Sequence, residues 1–203
     1  GSAVFKQGDD VDQHEDHYQY RTNRMTDLLV VCKDVGKFHE LNLIKNPSHY
    51  PYPINKVKGK YLQSLTRSAA GIYYNIGCTL HPGGLYCKYG IISHDDLCDD
   101  LNNWKSLYVG GRLHKPVEDV YISDKKAYHQ FTTALHNNRR SALRCALVLL
   151  KGNEEEELRS TLGTLLTSIC SLSYMGDIRS GMIRAEDPNK VYNIVHGQAN
   201  ELI

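Results

Sequence analysis

The stretch from residue 86 to residue 116, YCKYGIISHDDLCDDLNNWKSLYVGGRLHKP, decides the fold. Tyr86 to Ile92 is rich in β-branched and aromatic residues around Lys88, the composition of a strand. Ser93 follows as an N-cap, with Asp96 three residues on, a capping-box pattern that starts a helix. Leu97, Leu101, Trp104 and Tyr108 recur at helical spacing and give one apolar face. Asp95, Asp96, Asp99 and Asp100 crowd its first turns, where the helix dipole favours negative charge. Gly110-Gly111 is expected to stop this helix, and Arg112, His114 and Lys115 follow at once. A strand bearing a lysine, an acidic-to-basic helix and a glycine-hinged basic turn suit a phosphate-rich ligand. The plainer reading is a surface helix with a solvated basic end.

Upstream, residues 6–24 are polar and read as a loop; their histidines and acids match no standard metal spacing. Asp27-Leu-Leu-Val-Val-Cys32 is a short apolar run of buried-strand character headed by an acid. A carboxylate there is costly unless it binds something, so Asp27 is the first candidate for chemistry. Phe38 to Leu43 reads as helix, and Tyr50-Pro-Tyr-Pro53 as an extended crossing. Lys56, Lys58 and Lys60 lead into a helix over 61–68; the cluster reads as a solvated run or as a contact for anionic lipid. Gly71 to Asn75 is a strand, with Cys78 to Leu80 as its continuation. The turn signal His81-Pro-Gly-Gly84 makes it a hairpin partner or sheet neighbour of the Lys88 strand.

Downstream of Pro116, Val117 to Ile122 reads as a strand, and from Ala127 the chain is helical to Leu150. Asn153 with Glu154 to Glu157 opens another helix, carried by Leu158, Leu162, Leu165, Leu166, Ile169 and Leu172. Ile178 to Ile183 and Val191 to Val195 read as a closing strand pair, a wing beside helices. The fold class is therefore α+β: a mixed sheet with helices over 1–118, then a mostly helical, winged-helix-like domain over 119–203.

Composition narrows the function. The chain has 203 residues and a formal net charge of +1, so any polyanion contact must come from a local patch. No apolar run exceeds six residues, far short of a membrane span, and no signal peptide is visible. The six cysteines form no C-x-x-C pair and read as reduced packing residues in a reducing compartment. Gly1-Ser2 reads either as a cloning remnant or as native sequence.

Gly1-Ser2 followed at a distance by an acid heading a hydrophobic strand matches the skeleton of the nucleotidyltransferase fold. More specific matches run nearly end to end: Asn46-x-x-His49-Tyr50, Gly71-x-Tyr-Tyr-Asn75, Lys88-Tyr-Gly-x-Ile-Ser93 and Asp100-Leu-x-x-Trp104. They continue with Leu107-Tyr-x-x-Gly-Arg-Leu-x-Lys-Pro-Val117, Leu172-Ser-Tyr-x-Gly-Asp-x-Arg179, Glu186-Asp187 and Lys190-Val-x-Asn-Ile-Val195. By these motifs the chain resembles the mitochondrial phosphatidate cytidylyltransferases, the translocator assembly and maintenance family. Val4 and Phe5 fit the family's continuation, which argues that Gly1-Ser2 is native. Family members begin with a further helix and strand and run past Ile203, so both ends are expected to be truncated.

The resemblance implies a nucleotidyltransferase-like catalytic domain and a reaction of CTP with phosphatidic acid, giving CDP-diacylglycerol and pyrophosphate early in cardiolipin synthesis. It implies Mg²⁺ or another divalent cation. It also implies a peripheral enzyme on the matrix side of the mitochondrial inner membrane, with no transmembrane segment and no nucleic-acid partner. On this reading Gly1 and Ser2 hold the CTP triphosphate, and Asp27 holds the metal with Asp34 as a further ligand. Lys88, Arg112 and Lys115 neutralise phosphates, with Asp27, Lys88 and Arg112 forming the catalytic set. Tyr73, Tyr74 and Asn75 line the nucleotide site or are strand packing. Leu29 stands where related folds carry a second acid. Two other functions compete: a nucleotidyltransferase acting on RNA, and a non-catalytic mitochondrial assembly factor.

Overall fold

The computed structural model describes residues 25–68, 70–80, 83–151 and 162–174, together with Val191, Tyr192 and Val195. They pack as two compact units that divide at Asp99 and Asp100. In sequence order the elements are β1 (Thr26–Cys32), α1 (Val35–Lys45), α2 (Gly59–Arg67), β2 (Ile72–Leu80) and β3 (Leu85–Ser93). There follow α3 (His94–Asn103), α4 (Tyr108–Arg112), α5 (Lys125–Lys151) and α6 (Leu162–Ser171).

The first unit is built on a mixed sheet ordered β1-β3-β2. β1 runs parallel to β3, with Asp27 opposite Lys88, and β2 pairs antiparallel to β3. The predicted hairpin is therefore present. The pleat sends alternate residues to opposite faces. Leu28, Val30 and Cys32 join Cys87, Tyr89, Ile91, Tyr73 and Cys78 on one face, where Val35 and Phe38 of α1 close the core. Asp27, Leu29 and Val31 take the other face and are more exposed. Ser93 begins α3 as the sequence predicts: its Oγ accepts from the Asp96 amide at 3.0 Å.

The second unit departs from the sequence reading at the end of α3. The helix stops at Asn103 and does not reach Gly110. Trp104 and Leu107 adopt positive φ values of 52° and 55°, and both glycines lie inside the separate α4. The cause is Asp100. Its buried carboxylate accepts from the amides of Ser106, Leu107, Val109 and Gly110 at 2.7–3.0 Å, and from the Ser106 hydroxyl. One side chain thus satisfies the donors that open α4. A Cβ on Gly110 would crowd Asp100, and one on Gly111 would meet Ser173 at 2.8 Å. Asn138 of α5, fully buried, accepts from Trp104 Nε1 at 2.8 Å and donates to the Gly110 carbonyl at 2.9 Å. These bonds attach residues 104–114 to α5, within the compact unit that begins at Asp100.

Two strand expectations fail. Val117–Ile122 forms no strand, and Val120 and Tyr121 are exposed. Val191, Tyr192 and Val195 are helical, not a strand of a wing. Residues 178–183, the expected partner strand, lie outside the described residues, as do 6–24 and 153–157.

Candidate active site

Asp27 and Lys88 meet across the β1–β3 pairing. Their register places both side chains on the same face, and Lys88 Nζ lies 3.1 Å from Asp27 Oδ1. The pair stays open to solvent: the Asp27 side chain is 58% exposed and that of Lys88 29%. Lys88 Nζ also sits 5.5 Å from the centre of the Tyr74 ring, within cation–π range.

Two backbone features arrange this corner. Gly90 faces Tyr74 across β2 and β3, and a Cβ there would lie 2.6 Å from Tyr74 Cε1 and 2.7 Å from Ile72 Cδ1. Only glycine leaves room for that ring. On β2 the register slips between Asn75 and Cys78, so Ile76 and Gly77 together oppose Lys88. Gly77 takes φ 70°, which suits a bulge residue without a side chain.

The Tyr73-Tyr74-Asn75 run is split by the pleat. Tyr74 shares the Asp27–Lys88 face; Tyr73 and Asn75 point into the opposite one, towards α1. That face carries a buried polar network. His39 Nδ1 lies 2.9 Å from the Tyr50 hydroxyl, and Asn42 donates to the hydroxyls of Tyr50 and Tyr89, each at 2.8 Å. His49 Nδ1 approaches the Tyr89 hydroxyl at 2.6 Å, and Asn46 donates to Asn42 Oδ1 at 2.9 Å. The Asn-x-x-His-Tyr motif is thereby explained: it fastens residues 46–50 beneath the sheet. Asn75 turns its amide towards these hydroxyls without reaching hydrogen-bond geometry. Burial pushes Tyr89 up to about 12 and His39 down to about 4, so these two groups are neutral near pH 7.

A family model described as phosphatidate cytidylyltransferase, mitochondrial, matches residues 1–203. The chain belongs to the mitochondrial phosphatidate cytidylyltransferase family. Relatives of that name from Caenorhabditis briggsae and Caenorhabditis elegans are 39% and 36% identical, over 98% and 100% of this chain. They are matched over 57% and 56% of their own lengths. The human relative is 38% identical over 96% of this chain and 39% of its own. The chain spans about half the length of the curated relatives it matches.

In this family member the remaining site residues are distributed as follows. Asp34 is the N-cap of α1, accepting from the Lys37 amide at 2.9 Å. It lies past the far end of β1, roughly 20 Å from Asp27 by strand rise, so the two carboxylates do not converge. Arg112 and Lys115 belong to the second unit. Arg112 is exposed, donates to the Tyr108 carbonyl at 2.6 Å and stacks 3.8 Å above that residue's ring. Lys115 donates to the Tyr174 hydroxyl at 2.8 Å. His114 is not part of a solvated basic turn: it is buried, lies 3.2 Å from Asn138 and has its pKa lowered by burial. Gly1 and Ser2 lie outside the described residues.

Sequence reasoning gave no role to Gly90, nor to His39 and Asn42 of the buried network. A lone glycine inside a strand pattern is the signal for Gly90, since it marks a close approach. The network had no comparable signal, because its members come together only through α1, the 46–50 turn and both β2 and β3.

Proposed function

We propose that this protein, within its full-length chain, transfers a cytidylyl group from CTP to phosphatidic acid, releasing pyrophosphate and forming CDP-diacylglycerol. The observation that carries the reading is the exposed Asp27–Lys88 pair on a sheet face in a member of this family. A phosphatidate oxygen forms the new bond to the α-phosphorus of CTP, and the bond from that phosphorus to the β-phosphate bridge breaks. The attacking phosphate is already anionic at neutral pH, so no general base is required of the protein. What the site must supply is positive charge between two repelling anions. Lys88 supplies it from the sheet, and Tyr74 holds its ammonium group in place. Arg112 and Lys115 are further cations for the triphosphate, the lipid phosphate or the leaving pyrophosphate, and Gly1 and Ser2 are the triphosphate contacts of a nucleotidyltransferase-like domain.

Asp27 fits a hard divalent cation: it presents exposed carboxylate oxygens, and a single carboxylate plus substrate phosphates is a usual Mg²⁺ arrangement. When bound, Mg²⁺ would neutralise charge developing on the phosphates. Among the described residues no helix is long and apolar enough to cross a membrane. We assign the protein to the matrix side of the mitochondrial inner membrane as a peripheral enzyme, feeding cardiolipin synthesis.

The test supplies full-length protein with labelled CTP, dispersed phosphatidic acid and Mg²⁺, comparing wild type with Asp27→Asn. Lipid-linked label should fall about 100-fold or more in the variant, the scale of losing one charge-stabilising group. Asp27 is exposed, so melting should be unchanged. Undiminished transfer in the variant, or label appearing on RNA instead of lipid, would overturn the proposal.

A further inference from the structure

We infer that the outer faces of α1 and α2, with the turn joining them, form the surface by which this protein docks on an anionic phospholipid bilayer. The inference rests on the proposed use of a lipid substrate; its own support is a concentration of charge and exposed apolar groups in one part of the first unit. Residues 33–68 hold seven basic side chains against two acidic ones, an excess of five in a chain whose net charge is +1. The rest of the chain is therefore net negative. Lys37, Lys45, Lys56, Lys58 and Lys60 are all exposed.

Apolar groups stand among them. Leu41 and Ile44 occupy the outward side of α1, and Tyr61 and Leu65 that of α2. Ile44 is 75% exposed, and Tyr52, in the connecting turn, 82%. The two helices cross in direct backbone contact. A Cβ on Gly59 would collide with the Gly36 carbonyl and come within 2.6 Å of the Glu40 amide. Lys58 and Lys60 flank that contact and so lie beside the Gly36–Glu40 turn of α1. Lysines around aliphatic and aromatic side chains match the headgroup and acyl boundary of an anionic membrane.

The start of α2 is a second, independent observation. A helix N-terminus favours acids and a side-chain cap. Here the N-cap is Lys58, with no capping bond, and the first turn holds Lys60 and no acid. The fold gives up local stability to keep these cations, a conflict expected where function sets the residue. Aliphatic Leu41 and Ile44 favour a bilayer over RNA, whose bases would call for stacking platforms.

The experiment measures flotation of full-length protein with phosphatidylcholine vesicles containing about 30% phosphatidic acid, against phosphatidylcholine alone, without CTP. Wild type should float only with the anionic vesicles, less so as salt rises. Lys56→Gln/Lys58→Gln/Lys60→Gln should weaken binding roughly 100-fold at low salt, from the loss of about 1 kcal/mol per lysine. Its melting temperature should rise, because two cations leave a helix N-terminus; a misfolded variant would move the other way. Ile44→Ser/Tyr52→Ser should weaken binding with the charge intact. Turnover of a short-chain, water-soluble phosphatidic acid should be unchanged in both variants. Equal vesicle binding by wild type and the lysine variant, absence of binding by wild type, or preference of this face for poly(U) RNA each overturns the inference. Failure of the soluble-substrate assay in wild type would instead strike the proposed reaction.

Discussion

Asp27 and His39 are carried on opposite sides of one sheet, and their surroundings give them opposite duties. Asp27 stands open to water, with Lys88 Nζ 3.1 Å from its carboxylate. His39 is fully buried beside Tyr50, and burial holds its pKa near 4. In the unfolded chain the same imidazole titrates near 6.5. Between these values the unfolded state binds the extra proton, so stability rises with pH across the window. The stabilisation is complete above about pH 6.5 and is lost as pH falls towards 4, on the order of 3 kcal/mol in all. Urea unfolding at a series of pH values should show this slope in wild type and a shallower one in His39→Gln. An equal slope in both would assign the acid sensitivity to other groups.

At the level of the element, the α3–α4 corner depends on one carboxylate. Asp100→Ala would leave four amides and a hydroxyl without their acceptor. A loss of about 3–5 kcal/mol is expected, visible as a lower urea midpoint at unchanged m-value. A change under 1 kcal/mol would show that water replaces the acceptor at little cost. The same corner shows what sequence pattern misses. Strands β1 and β3, their alternation and the Ser93 cap were legible because local composition and period specify them. The end of α3 was not: Trp104 and Tyr108 continue the helical spacing, and only the hydrogen bonds of Asp100 interrupt it. Val117 to Ile122 misled in the opposite sense, since β-branched composition makes a strand only where a neighbour pairs with it.

Across the whole molecule, all six cysteines are free thiols, as a packing role requires. Cys78, Cys87 and Cys170 are buried, and burial raises the pKa of each. A thiol reagent should therefore modify at most Cys32, Cys98 and Cys145 rapidly in the native protein, and all six after denaturation. Rapid native labelling of Cys87 would contradict the packing of the sheet. Of the proposed site, the sequence showed its charged members but not their grouping. Asp27 and Lys88 stand 61 residues apart and meet through strand register. Asp34 is close in number yet belongs to the start of α1.

The bulge at Ile76-Gly77 carries a consequence for how this chain can vary. Because neighbours in β2 serve opposite faces, deleting or adding one residue between Ile72 and Asn75 would trade Tyr74 for the buried amide and strand the lysine without its aromatic rest. The bulge is the one place along that strand where the count is already irregular. Lineages of this protein should accordingly exchange letters within the motif while conserving its length, and confine any indel in the strand to the two positions beside Lys88.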